Sequence, residues 1–296
     1  MKSALRMFTA VASKVADQVI TDYSTSFGAA TRLLGARHRQ HIRNVYALVR
    51  VADEIVDGVA AEAGLSIDDQ MATLQRYIDE VERALASGYS PDLVIHAFAT
   101  TARQCDISTE LTTPFFESMA SDIIRNSNPD GGASLSREEH AEYVYGSAEV
   151  VGLMCLRVFT RGIPMAPETR ARLERGARQL GAAFQNVNFL RDLADDSERL
   201  GRHYLTHDAE LTDETRSQWV ATIRAQLSDA EAVIPMLPRD CRAAVRTAHA
   251  IFSDLTDRIA HVPAAELYQR RIRVPNPRKT VMAGSAILAT AVERRS

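Results

Sequence analysis

The stretch Gly181-Ala182-Ala183-Phe184-Gln185-Asn186-Val187-Asn188-Phe189-Leu190-Arg191-Asp192-Leu193-Ala194-Asp195-Asp196 carries the most information about the fold. Asn188, Asp192 and Asp196 are spaced by four and again by four. At 3.6 residues per turn each step drifts only about 40°, so the three share one face of a helix. Gln185 extends that face one turn earlier. Phe184, Val187, Phe189 and Leu190 surround it with apolar residues, and Gly181, Ala182 and Ala183 permit close packing of a neighbouring helix. An acidic stripe on an otherwise apolar helix is not a solvated face, because burying carboxylates without partners is costly.

A second stripe lies in Tyr46-Ala47-Leu48-Val49-Arg50-Val51-Ala52-Asp53-Glu54-Ile55-Val56-Asp57. Asp53 and Asp57 sit on one helix face, about 6 Å apart in rise, with Arg50 on the same side. Like charges at this spacing repel modestly. A hard divalent cation would resolve the repulsion, since Mg²⁺ takes carboxylate oxygens together with those of a bound phosphate. Two such stripes facing across a helical bundle would form a magnesium–diphosphate site. The competing reading is two unrelated acidic stripes that pair with arginines. A departing diphosphate gathers negative charge, which guanidinium groups stabilise. Arg50 and Arg202 are the leading candidates, the latter in Leu200-Gly201-Arg202-His203-Tyr204-Leu205. Arg271 and Lys279 are secondary ones, in a segment that also reads as a solvated basic run.

The rest of the chain bounds these readings. It has 296 residues, 46% of them hydrophobic, enough for a large core. A net charge of -3 argues against a nucleic-acid footprint. The three cysteines, Cys105, Cys155 and Cys241, are scattered and suggest neither a disulfide framework nor a zinc site. A reducing, cytoplasmic setting is expected. The longest apolar run, Val281 to Val292, is too short to span a bilayer, although contact with a membrane surface stays open for a greasy substrate.

Helical periodicity dominates. It predicts helices near 9–20, 25–34, 37–63, 66–87, 91–104, 108–127, 136–162, 166–199, 212–233 and 237–260. Breaks are expected at 126–133, at Gly162-Ile163-Pro164 and at Pro235 to Pro238, with helix starts at Ser66 and at Ser134 or Ser136. No repeat or long linker interrupts the pattern, so an all-α single domain over 1–296 is expected.

Ser24-Thr25-Ser26-Phe27, the Tyr46–Asp57 stripe, Tyr143-Val144-Tyr145-Gly146-Ser147-Ala148-Glu149-Val150-Val151-Gly152-Leu153-Met154, the Gln185–Asp196 stripe and Gly201-Arg202-His203-Tyr204-Leu205 together resemble the squalene/phytoene synthase family. They occur in the family's order across most of the chain, and the Tyr-Gly-Ser-Ala wording is of a bacterial, actinobacterial kind. The resemblance implies an isoprenoid-synthase helical fold with a central cavity. It implies head-to-head joining of two geranylgeranyl diphosphates, through a cyclopropyl diphosphate, to phytoene. Asp53, Asp57, Asn188, Asp192 and Asp196 would hold Mg²⁺, with Mn²⁺ as the alternative. Arg50 and Arg202 would bind diphosphate, and Ser24, Phe27, Tyr46, Tyr143 and Gln185 would line the cavity. The chain departs from the family pattern at Glu54, where Asp is common, and at Glu149, where Gly is common.

Three alternatives stay open. One is a squalene or dehydrosqualene synthase using farnesyl diphosphate. No G-x-G-x-x-G fingerprint is present, so no NADPH is expected, although a helical protein can bind that cofactor without one. Another is a single-substrate terpene cyclase, and the third is a non-catalytic assembly factor that kept the fold. Oligomeric state is not readable from the sequence.

Overall fold

A computed structural model describes residues 3–56, 58–126, 135–193 and 211–293. The helices are α1 (Ala4–Tyr23), α2 (Thr25–Thr31), α3 (Ala36–Val56), α4 (Val59–Glu62), α5 (Ile67–Ser87), α6 (Leu93–Cys105) and α7 (Thr109–Asn126). They continue with α8 (Arg137–Val144), a π-helical turn (Tyr145–Glu149), α9 (Val150–Thr160) and α10 (Pro167–Arg191). The last are α11 (Asp213–Glu231), a 3₁₀ turn (Ile234–Met236), α12 (Arg239–Ala260), α13 (Ala264–Leu267) and α14 (Asn276–Val292). No strand occurs among the described residues.

The starts and stops follow the local chemistry. Ser66 caps α5, its hydroxyl accepting from the Asp69 amide at 3.2 Å. Ser136 caps α8 in a full capping box, with Glu139 accepting from the Ser136 amide at 2.8 Å. Each cap satisfies an amide that would otherwise lack a partner, worth about 1 kcal/mol.

Four differences from the periodicity are informative. The helix expected over 37–63 ends at Val56 and restarts after Gly58, whose φ of 148° only glycine adopts freely. The helix expected over 136–162 contains the π turn, a distortion that hydrophobic spacing does not reveal. The helix carrying the second acidic stripe ends at Arg191, so Asp192 is its C-cap rather than an interior residue. The basic segment after Pro275 opens a helix of 17 residues that the sequence reading left out. Pro277 occupies its first turn, where a missing N–H costs nothing.

The core forms two main apolar clusters. One joins α3, α5, α6, α7 and α9 through Leu48, Leu74, Phe98, Ile123 and Met154, all fully enclosed. The other joins α10, α11 and α12 through Leu190, Ile223 and Ile259. Burying each such side chain contributes about 1.5–3 kcal/mol. The π turn and α9 lie against α10 with backbone nearly touching backbone. A Cβ on Gly152 would stand 2.4 Å from the Ala177 carbonyl oxygen, and one on Gly181 would stand 2.5 Å from that of Ala148. No helix among the described residues is long and apolar enough to cross a membrane.

Candidate active site

Where the two clusters meet, the protein encloses a cavity of about 290 Å³. Along α10 it is lined by Leu173, Gly176, Ala177, Leu180, Gly181, Phe184, Gln185 and Asn188. That spacing is one continuous helix face, and its ends are about 22 Å apart along the axis. The facing wall comes from Ser147, Ala148, Val151, Gly152 and Cys155. Helices α2, α3 and α12 supply Phe27, Thr31, Ile42, Val49, Val245 and Ala248, and Leu156, Phe159, Val233 and Leu237 are also in the wall. The π turn buries Gly146 against Pro114 and Ser118 of α7 and leaves Ser147 and Ala148 on the cavity.

The wall is almost wholly apolar, and its few polar groups are telling. The Ser147 hydroxyl and the Asn188 carboxamide oxygen are buried without a hydrogen-bond partner among the described residues. An orphaned buried acceptor costs about 1–3 kcal/mol, so it marks a place where a ligand or ion completes the bonding. Phe27 and Phe184 line the cavity, and Phe252 backs them from the core. Phe184 stacks on Phe252 at 3.8 Å between centroids, and Phe27 stands 5.8 Å from Phe184 and 5.7 Å from Phe252. The two rings on the cavity, Phe27 and Phe184, carry negative quadrupole density suited to a passing cation. The family resemblance places Phe27 on the cavity wall, where it lies. The sequence misses Phe252, because three rings from three helices leave no spacing signal.

Charge collects at the Asn188 end. Asp192 stands four residues beyond Asn188, and its carboxylate accepts from Arg191 Nε at 2.8 Å and from Arg271 Nε at 2.8 Å. On α3, Val49 lines the cavity and Asp53 lies one turn further along the same face. Arg50 reaches Asp53 at 3.3 Å and pairs with Glu54 as well. It also lies 4.4 Å over the Tyr23 ring. Burial pulls the Arg50 guanidinium down, but Asp53 and Glu54 outweigh it and the net shift is upward. Lys279 donates to Thr25 Oγ1 at 3.1 Å. Burial holds its ammonium below the usual lysine range, and the nearby Arg191 and Arg273 add to the effect.

The remaining expected site residues are placed as follows. The Ser24 hydroxyl caps α2 by accepting from the Phe27 amide at 3.0 Å. Tyr46 lies 6.4 Å from Phe27, and burial raises its phenol, opposed by a hydrogen bond with Ser24. Tyr143 stands behind the cavity wall. Its hydroxyl donates to the buried Asp122 at 2.7 Å, and its ring lies 6.0 Å from that of Phe189. Glu149 turns away to pair with Arg178 at 2.6 Å. Asp57, Asp196 and Arg202 lie outside the described residues.

Both described carboxylates therefore have arginine partners, which alone would suit a structural ion pair. Their place beside an apolar cavity, next to an unsatisfied Asn188 oxygen, fits a hard cation better. The donors are all oxygens, as Mg²⁺ prefers.

The architecture is that of the all-α isoprenoid synthases. A dehydrosqualene synthase crystallised in complex with ligand superposes with a TM-score of 0.76, covering 96% of this chain and 98% of that one. At 22% identity the likeness is one of fold. The sequence model of the squalene/phytoene synthase family matches residues 20–278, and the chain belongs to that family of prenyltransferases. Phytoene synthase from Rhodobacter capsulatus is 27% identical over 94% of this chain and 82% of its own length. Phytoene synthase 3, chloroplastic, from Zea mays is 27% identical over 93% of this chain, which spans 65% of that longer protein. The family joins prenyl diphosphates head to head and uses a divalent metal to bind diphosphate.

Proposed function

We propose that the chain condenses two geranylgeranyl diphosphates head to head, through a cyclopropyl diphosphate, to phytoene. One observation carries this: an apolar cavity about 22 Å long along α10 ends beside carboxylates and guanidiniums drawn from two helix ends and a C-terminal segment. A long apolar chain with a charged head fits that division. That the curated relatives are named phytoene synthases supports the choice of phytoene as product.

Asp53, Asn188 and Asp192 would hold Mg²⁺ or Mn²⁺, joined by Asp57 and Asp196. Bound there, the metal would supply positive charge to the leaving diphosphate. Arg50 and Arg271 are now engaged by Asp53 and Asp192. Arg50 and Arg271 would exchange these carboxylates for phosphate oxygens when substrate binds, with little net charge left uncompensated. Arg202 would add a third guanidinium. Phe27 and Phe184, backed by Phe252, would face the allylic cation, while the apolar wall excludes water that would quench it. Ser24 and Tyr46 would position Phe27, and Gln185 would meet the head group beside Asn188. Tyr143, with Asp122, would steady the Phe189 side of α10 rather than touch substrate. No reductant is required by this chemistry.

Product analysis tests the proposal. Purified protein with Mg²⁺ and geranylgeranyl diphosphate, without NADPH, is expected to form phytoene, and a chelator to abolish it. A thirty-carbon product from farnesyl diphosphate alone would move the substrate. A cyclised product from one substrate molecule would replace the reaction.

A further inference from the structure

A second cleft, about 440 Å³, lies between the end of α12, the 261–275 connection and the start of α14. It shares no lining residue with the apolar cavity. Arg258, Arg270, Arg273 and Arg278 line it, with His261, against the carboxylates of Asp254 and Asp257. Asp254, only 8% exposed, organises two of the arginines. It accepts from Arg258 Nε at 2.7 Å and from Arg278 Nε at 2.6 Å. Those bonds fix both guanidinium planes and leave further N–H groups of each for another acceptor. Arg273 has no ion pair or hydrogen bond among the described residues. His261 spends Nδ1 on the Asp257 carbonyl at 2.6 Å, so Nε2 stays available. Asp257 is itself neutralised by Arg224 at 2.7 Å, and Arg270 is paired with Glu266. Among these groups five arginines stand against three carboxylates, and the surplus is positive.

We infer that this cleft binds a diphosphate-class anion at a site separate from the apolar cavity. Fixed guanidinium forks match phosphate oxygens in paired hydrogen bonds, which a carboxylate ligand would only half use. The group could arrive as free inorganic diphosphate or as the head of a prenyl chain. Only Val262 and Ile272 offer apolar surface, so an isoprenoid tail has no wall to lie on and the free anion fits better. The cleft is linked to the reaction site through the chain itself. Arg271, between Arg270 and Arg273, bonds Asp192, and Lys279, beside Arg278, bonds Thr25. An anion held in the cleft would fix the segment that delivers both cations to the rim.

The inference does not depend on which prenyl substrate the cavity takes. Its test is calorimetric titration of inorganic diphosphate into the full-length protein in excess EDTA, which removes metal-dependent binding at the rim. Saturable binding is expected in the unaltered protein, at least tenfold weaker in Arg273→Glu and in Arg270→Gln/Arg273→Gln, and unchanged in Asp53→Asn. Neither Arg270 nor Arg273 supports the buried Asp254, so both variants should keep the melting temperature of the parent. Geranylgeranyl diphosphate titrated in the same buffer is expected to show no dependence on Arg273. The inference is overturned by absence of diphosphate binding, by binding that Arg273→Glu leaves intact, by binding lost in Asp53→Asn, or by an Arg273 dependence confined to the prenyl ligand.

Discussion

The rim of the cavity and its wall are built on different principles. At the rim, the proposed function rests on charged groups in fixed spacings: Arg50 with Asp53 on α3, Asn188 with Asp192 at the end of α10. At the wall it rests on what is missing. Gly152 and Gly181 have no side chain because a carbonyl stands where the Cβ would be, and Ser147, Ala148 and Val151 leave space that larger residues would fill. A rim residue should thus fail in turnover while the fold survives. A wall residue should change which chain fits, or how well the helices pack.

The largest effect is expected at the rim. Asp53→Asn or Asp192→Asn should lower turnover by about a hundredfold or more, the scale of losing one preorganised charge contact. Their part-exposed ion pairs contribute little to stability, so thermal unfolding should barely move. Steady-state kinetics beside calorimetric melting checks both. Near-normal turnover in either variant would place that carboxylate outside the reaction.

At the wall, Cys155→Phe fills part of the cavity without touching the charged end. It should lower turnover of geranylgeranyl relative to farnesyl diphosphate by about 10–200-fold, the range one or more methylenes command in an apolar pocket. Competition between the two substrates, read by product chain length, measures the ratio. An unchanged ratio would mean that the chain lies elsewhere. Gly181→Ala tests the seam. With Ala148's carbonyl 2.5 Å from the new methyl, a backbone shift costing about 1–3 kcal/mol is expected, seen as a lower melting temperature.

The smallest effect concerns the second apolar cluster, on which α8 packs. His140 lies 4.8 Å from Trp219 and 5.8 Å from Phe189, and burial holds its imidazole down at about 4. Between about 4 and 6.5 the unfolded chain binds a proton there and the folded chain does not. Stability should therefore fall as pH drops through that window. His140→Phe should flatten part of the slope in melting temperature against pH. A slope unchanged by the substitution would show that His140 protonates freely in the folded protein.

The sequence exposed the rim far better than the wall, and the reason is physical. Asp53 and Asn188 sit in polar stripes on apolar helices and Asp192 caps the second of these, a spacing visible in the sequence. Val151, Gly152 and Cys155 look like any core segment, because lining a cavity and filling a core ask for the same residue types. Val150 and Met154, their neighbours, are indeed fully enclosed core. The stacked Phe184 and Phe252 come from helices separated by α11, so only tertiary packing joins them. The π turn was hidden because its pattern differs from an α-helix by one residue. The final helix leaves little trace in the sequence because Val281, Leu288 and Val292 are exposed, which blurs its amphipathic pattern.

The most direct test of the central claim is a crystal structure with Mg²⁺ and an unreactive thiolodiphosphate analogue of geranylgeranyl diphosphate. The account predicts the tail between α9 and α10, beside Val151 and Cys155. It predicts the head against Arg50 and Arg271, with metal density at Asp53 and Asp192. A tail lying outside the cavity, or Asp53 and Asp192 still bonded only to their arginines with the analogue bound, would contradict it.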